Sequence, residues 1–248
     1  MATPEVFGSD ISYREESFRA GAFSELAVRA DSFEAFHPKL PLSSLRYRVL
    51  KPLLDLAIVV LALPVALPLG LFLALLIRLT SEGSVLYRHR RIGQFQQPVY
   101  VWKFRTMYED SDDVLERYLD SSPEARDEWS RAHKLRDDPR ITPIGRLLRK
   151  TSLDEIPQLL NVLAGDMSIV GPRPIVDEER EKYGEYFHTY THALPGITGL
   201  WQVSGRCDVD YPARVQLDVQ YVEKWSLWME TKILLKTVLV ILHSRGAY

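Results

Sequence analysis

The sequence predicts an α+β, mainly helical protein. It would have one apolar helix that enters a bilayer and returns, a cytoplasmic domain, a short β-hairpin and amphipathic helices at the membrane interface. Three observations predict this. Residues 56–77 form 22 positions without a charge, enough to enter a membrane as a helix. Two short alternating segments flank a loop containing glycine and proline. Most of the rest carries helical spacing broken by Gly and Pro. The implied organisation is a flexible N-terminal tail over 1–43, a membrane helix with basic flanks over 44–80, and a domain over 81–248.

The tail mixes acids, serines and scattered aromatics without sustained periodicity. Its first residues lack a basic start and an apolar core, so no secretory signal is expected. Composition is that of a folded protein, 46% apolar and 26% charged with net charge −2. Nothing global suggests nucleic acid. The charge is polarised, however. Residues 46–107 hold nine Lys/Arg against Asp55 and Glu82, whereas 108–139 hold eleven acids and five bases. A basic segment around an apolar one suits anionic headgroups and anionic substrates. Cys207 is the single cysteine, so no intrachain disulfide can form, which fits a reducing compartment.

Within the apolar run, Pro64 and Pro68 fall on one helical face with Gly70 just after. Each interior proline costs about 3 kcal/mol in an ordinary helix and bends it. Arg46, Arg48 and Lys51 precede the run, and Arg78, Arg88, Arg90 and Arg91 follow it. Basic flanks at both ends favour the cytoplasm for both. Asp55 at the start is tolerated only near an interface. A bent, re-entrant helix satisfies all three, ahead of a straight span or a buried core helix.

Next come two expected strands, 85–91 and 98–107. Alternation in the second puts Val99, Val101, Lys103 and Arg105 on one face. That face either grips a phosphate or is a solvated edge. The acidic stretch 108–139 is helix-compatible, and its Asp110, Asp112 and Asp113 read as a solvated face rather than a metal site. ITPIGRLLRK (141–150) reads as a basic helix leading into an acid pair. A charged helix is expected over 177–192, with His188 and His192 at the surface. PGITGLWQVSGR (195–206) reads as a loop whose backbone approaches a ligand. The C-terminal stretch from Tyr221 is amphipathic, with Trp225 and Trp228 serving either the headgroup layer or the core.

The chemistry concentrates in TSLDEIPQLLNVLAGDMSIVGPRP (151–174). Ser152 and Glu155 have capping-box spacing, which accounts for Glu155 but not for Asp154 beside it. Pro157 fits such a helix poorly, so the regular helix can also begin near Pro157. On either reading the carboxylates stand at a helix N-terminus, where the dipole favours their ionised forms. An ionised acid pair suits a nucleophile that forms an acyl phosphate, or a Mg²⁺ ligand. Arg149 and Arg173 supply planar forks for phosphate oxygens. These features point to a phosphorylated substrate handled at a membrane.

These residues resemble the bacterial sugar transferase family, the monotopic phosphoglycosyl transferases that start glycan assembly on polyprenol phosphate. The match runs from about Arg46 to the C-terminus. It rests on the basic-Leu-Asp lead-in to the apolar run, Arg91-Ile-Gly93, KFRTM (103–107), the 151–174 core and PGITGLWQVSGR. The resemblance implies a re-entrant helix, a catalytic domain on the cytoplasmic face of the bacterial inner membrane, and Mg²⁺. It implies that Asp154 attacks the β-phosphate of a UDP-hexose and releases UMP, and that undecaprenyl phosphate then takes the phosphosugar. Glu155 would hold Mg²⁺ together with Asp154, or manage a proton. Lys103, Arg105, Arg149, Arg173 and Pro174 would surround the phosphates, with Gln202 and Arg206 near the nucleotide. TGLWQVSGR looks most like hexose-1-phosphate transferases of exopolysaccharide pathways, which favours UDP-galactose or UDP-glucose. Family members commonly place Ser-Pro at the bend, where this chain has Leu67-Pro68. Alternatives are a membrane glycosyltransferase releasing UDP and a non-catalytic polysaccharide-assembly factor. Whether the chain forms a homo-oligomer is left open.

Overall fold

A computed structural model describes residues 40–132, 135–205 and 209–243. Most of the expected tail and Arg206 therefore lie outside the described residues. The first element is a helix of 36 residues, α1 (Leu45–Thr80). Ser44 caps it, its hydroxyl accepting from the Tyr47 N–H at 3.2 Å. The helix runs through Pro52, Pro64 and Pro68 without interruption. It is the one helix among the described residues long and apolar enough to cross a membrane.

One face of α1 rests on the rest of the protein. Tyr47, Lys51, Asp55 and Val59 are buried at successive i+4 steps, and Leu73 and Ile77 are buried near its end. The opposite face presents Leu61, Val65, Leu67, Leu71 and Phe72, all more than half exposed. Such a broad exposed apolar face has no use for water as its neighbour.

The predicted hairpin is present: β1 (Leu86–Ile92) pairs antiparallel with β2 (Pro98–Phe104) in register from Leu86↔Phe104 to Ile92↔Pro98. The acidic stretch yields two helices, α2 (Ser111–Ser121) and α3 (Pro123–Ala132). Ser122 is extended between them and Pro123 starts the second. Then follow α4 (Pro143–Thr151), α5 (Gln158–Leu163) and β3 (Ser168–Val170).

The single helix expected over 177–192 is instead two short ones, α6 (Arg180–Tyr183) and α7 (Phe187–Tyr190), joined by a 3-10 turn. Gly184 lies between them at φ 49, a backbone value that ends an α-helix at little cost only for glycine. His192, expected at the surface, is buried, with its ring stacked on His188 at 4.8 Å. The stretch expected to be all loop contains β4 (Gly196–Thr198), which pairs in parallel with β3. The C-terminal stretch breaks at Trp225, giving α8 (Tyr211–Lys224) and α9 (Leu227–His243). Its two tryptophans divide: Trp225 is in the core and Trp228 is exposed.

A buried polar network ties α1 to this scaffold. Lys51 Nζ donates to Asp55 Oδ1 at 2.9 Å and to Glu230 Oε2 at 2.7 Å. Asp55 also accepts from the Ser168 hydroxyl and the Ile169 N–H. Glu230 Oε1 accepts from the Tyr221 hydroxyl and Trp225 Nε1. One ammonium and two carboxylates are thus desolvated together with their hydrogen bonds made, the condition under which buried charge is tolerated. Around them pack Val59, Val101, Met167, Val170, Val222 and Ile233. Further along, Leu73 and Ile77 meet Phe104 and Leu148.

Candidate active site

The site is built where α4 docks on the end of the hairpin. Thr142 caps α4, accepting from the Gly145 N–H at 2.9 Å. Gly145 lies so close to the Thr106 carbonyl that a Cβ would collide with it. The capping box expected over 152–155 is not formed. Ser152 is left-handed at φ 57 and closes α4, its N–H turned to the carbonyls of Arg149 and Leu148, a C-terminal closure rather than an N-cap. The chain then makes one 3-10 turn, Leu153–Glu155, before α5 starts at Gln158 with Pro157 just ahead. The later helix start anticipated from Pro157 is the one observed.

That turn swings both carboxylates onto Lys103. Lys103 Nζ donates to Glu155 Oε1 at 2.6 Å and stands 3.7 Å from Asp154 Oδ2. Asn161 holds α5 against the hairpin's free backbone: its amide donates to the Tyr100 carbonyl at 2.8 Å and accepts from the Trp102 N–H at 3.0 Å. Spacing alone gave no sign of Asn161. Its signal is a lone amide within the otherwise apolar LLNVL (159–163).

The two acids are displaced in opposite directions. Burial raises the Asp154 carboxyl above the ordinary aspartate range, with the Glu155 charge adding to it; the Lys103 and Arg149 charges only partly offset this. For Glu155 burial is also the largest influence and works against ionisation. The charges of Lys103 and Arg173, with hydrogen bonds from Lys103 and Gln158, together outweigh it and bring Glu155 below the usual range. The helix-terminus argument thus fails for Asp154, because α5 is short and desolvation dominates. A pair pushed apart this way suits two different roles.

Arg173 sits in a rigidly held GPRP. The Gly171 N–H donates to the Thr198 carbonyl, and the Gly196 N–H to the Pro172 carbonyl. A side chain at Gly171 would meet the backbone of Leu194 and Gly196. The Tyr190 hydroxyl donates to the Arg173 carbonyl at 2.8 Å. Pro174 follows, half-buried. The charge of Arg173 acts on Glu155 and on buried Asp218. Arg149 donates from Nε to the Thr106 hydroxyl at 2.8 Å, within electrostatic reach of Asp154.

The structure therefore brings Lys103, Arg149, Asp154, Glu155 and Arg173 together. It turns Arg105 elsewhere: its Nη2 donates to the Ser81 carbonyl and hydroxyl at 3.1 and 2.8 Å, neutralising the carbonyl end of α1. Gln202 belongs to a 3-10 turn, Trp201–Val203, its amide donating to the Ile197 carbonyl; no hydrogen bond or ion pair joins it to the acid pair. Asp154 and Glu155 are the hard oxygen donors that Mg²⁺ accepts alongside substrate phosphates. Among the described residues no cluster of three or more metal-binding side chains exists, so a cation held by these two carboxylates would complete its shell with water or substrate oxygens.

The family model described as bacterial sugar transferase matches residues 46–244. The chain is 49% identical over 193 residues to the exopolysaccharide production protein ExoY of Rhizobium meliloti, covering 76% of this chain and 85% of that protein. It is 48% identical over 202 residues to the undecaprenyl-phosphate galactose phosphotransferase of Salmonella typhimurium, covering 81% of this chain and 42% of that protein. It is 37% identical over 217 residues to the UDP-glucose:undecaprenyl-phosphate glucose-1-phosphate transferase of Escherichia coli, covering 84% and 43%. The chain thus spans less than half the length of these last two.

Proposed function

Because the chain belongs to the bacterial sugar transferase family, we propose that it transfers hexose 1-phosphate from a UDP-hexose to undecaprenyl phosphate at the cytoplasmic face of the inner membrane, as the first step of exopolysaccharide assembly. The observation that carries this reading is the acid pair held on Lys103 with Asp154 desolvated and Glu155 kept ionised.

In the first step an Asp154 oxygen bonds to the β-phosphorus. The bond from that phosphorus to the bridging oxygen breaks, and UMP leaves with the electron pair. In the second, a phosphate oxygen of the polyprenol attacks the same phosphorus, the Asp154–phosphorus bond breaks and the carboxylate is restored. Poor solvation makes ionised Asp154 a stronger nucleophile than an exposed carboxylate. Lys103, Arg149 and Arg173 offset phosphate charge as it redistributes. Mg²⁺, held by Asp154 and Glu155 with phosphate oxygens, would supply further charge compensation.

The membrane arrangement follows the same reading. A straight helix of 36 residues is about 54 Å long, well beyond a hydrocarbon core of about 30 Å. Val59 packs with the C-terminal helices and Ile77 with Phe104 and Leu148, so both halves of α1 touch one domain. That supports a helix that enters and leaves on one side, bent near Pro64 and Pro68.

Nucleotide identification tests the reaction class. Protein, Mg²⁺ and UDP-galactose or UDP-glucose without lipid should release UMP in an amount equal to enzyme, and Asp154→Asn should release none. Release of UDP would assign a glycosyltransferase instead.

A further inference from the structure

The hairpin carries more basic chemistry than Lys103. Directly paired residues of an antiparallel ladder project to the same side. Tyr87 pairs with Lys103, His89 with Val101 and Arg91 with Val99, so Lys103, His89 and Arg91 line one face. Arg88 and Arg90 fall on the other, where Arg90 makes an exposed ion pair with Asp177 at 2.7 Å. Lys103 ends the row at the acid pair. Arg91 stands four residues along, about 13 Å away.

At that far end the strand is stitched to GPRP. The Ile92 N–H donates to the Ile175 carbonyl at 2.9 Å, and the Ile175 N–H in turn donates to the Tyr190 hydroxyl at 3.2 Å. This brings the Arg91 and Arg173 guanidiniums within mutual electrostatic range. Arg173 also acts on Glu155, so it links the two ends of the row. Both arginines are half-buried. Neither belongs to any of the ion pairs among the described residues.

Arg91 is also held in position. Its Nη2 lies 3.3 Å from Nδ1 of His89. Burial, with the Arg91 and Lys103 charges, lowers the His89 imidazole below the ordinary histidine range. A neutral imidazole with Nδ1 unprotonated accepts from Arg91 without adding charge. Two partly desolvated like charges facing one space are unfavourable until an anion with several oxygens lies between them.

We propose that Arg91, oriented by His89, forms with Arg173 a second phosphate-binding fork. It takes a phosphate other than the one Asp154 attacks. The proposal rests on the phosphosugar-transfer reading above. The ligand chemistry is a phosphate ester brought next to the reacting phosphorus, and it has two sources, the nucleotide half of the UDP-hexose or the acceptor lipid phosphate.

The test uses the full chain in detergent. Inorganic pyrophosphate with Mg²⁺ is titrated calorimetrically into wild type, Arg91→Ala, Arg91→Lys and Arg90→Ala. Loss of a charge-assisted pair predicts about 10- to 100-fold weaker binding for Arg91→Ala. Arg91→Lys keeps the charge and stem but not the fork, so it should weaken binding at an unchanged melting temperature; Arg90→Ala should bind as wild type. This arm needs no turnover, so it stands apart from failure of the transfer reading, which would show as no UMP release by wild type. The half-reactions then identify the source. A slowed UMP burst in Arg91→Lys assigns the fork to the nucleotide, and slowed discharge to undecaprenyl phosphate assigns it to the acceptor. Wild-type pyrophosphate affinity and wild-type rates in both half-reactions for Arg91→Lys and a folded Arg91→Ala would overturn the proposal.

Discussion

Asp154 combines two demands that pull against each other. Burial raises its carboxyl, yet attack on phosphorus needs the ionised form. In metal-free protein the Asp154 carboxyl should therefore titrate along a limb displaced above the ordinary aspartate range. Lys103 lowers that carboxyl, so Lys103→Met should shift the limb further upward and slow the UMP burst about 10- to 1,000-fold, the usual scale for losing an electrostatic contact in a reacting site. A limb at the same pH in Lys103→Met would contradict this. Asp218 gives a separate test on stability. It is fully buried, accepts from the Tyr183 hydroxyl, and is pushed up to about 8, mainly by burial. Between about pH 4 and pH 8 the folded protein holds this proton and the unfolded chain has released it. Stability from this group is thus present below about pH 4, falls as pH rises to about 8, and then levels off. Asp218→Asn should flatten that fall and melt higher than wild type at pH 8.5. Thermal melting across pH 5 to 8.5 checks it.

At the scale of elements, the joints between α1, the hairpin and the C-terminal helices decide whether the acid pair is presented at all. Lys51→Met leaves Asp55 and Glu230 buried without their cation and should destabilise by about 3–5 kcal/mol, read as a lowered melting temperature. Asn161→Ala removes both bonds between α5 and the hairpin. It should cost about 1–3 kcal/mol and slow the UMP burst without changing the pH at which the limb falls. The hairpin was legible because VYVWKF alternates, which also set Lys103 on the same face as Val99 and Val101; that this face meets the acid pair was not legible. Arg105 is not brought to the acid pair, for a physical reason. The strand ends at Phe104, so alternation no longer governs the next side chain, and the carbonyls closing α1 offer that guanidinium a nearer partner. The break at Gly184 and the left-handed Ser152 were hidden because each depends on one residue's backbone angle, which helical spacing does not report. Arg91 went unassigned as a site residue because its proximity to Arg173 arises from a contact between strands and loop, Ile92 to Ile175, far apart in sequence.

Across the whole molecule, the account joins a membrane helix to a site that must meet both a water-soluble nucleotide sugar and a lipid phosphate. If α1 enters and leaves on one side, Arg48→Cys and Glu82→Cys, each in a Cys207→Ser background, should both resist an impermeant maleimide added outside intact cells. Labelling of either would refute that topology. The chemistry itself has the most direct test. After incubation with UDP-hexose and Mg²⁺ but no lipid, intact-protein mass spectrometry should show an added hexose phosphate, mapped to the peptide containing Asp154 and removed by undecaprenyl phosphate. An unchanged mass while product still forms, or full transfer by Asp154→Asn, would contradict Asp154 as the nucleophile.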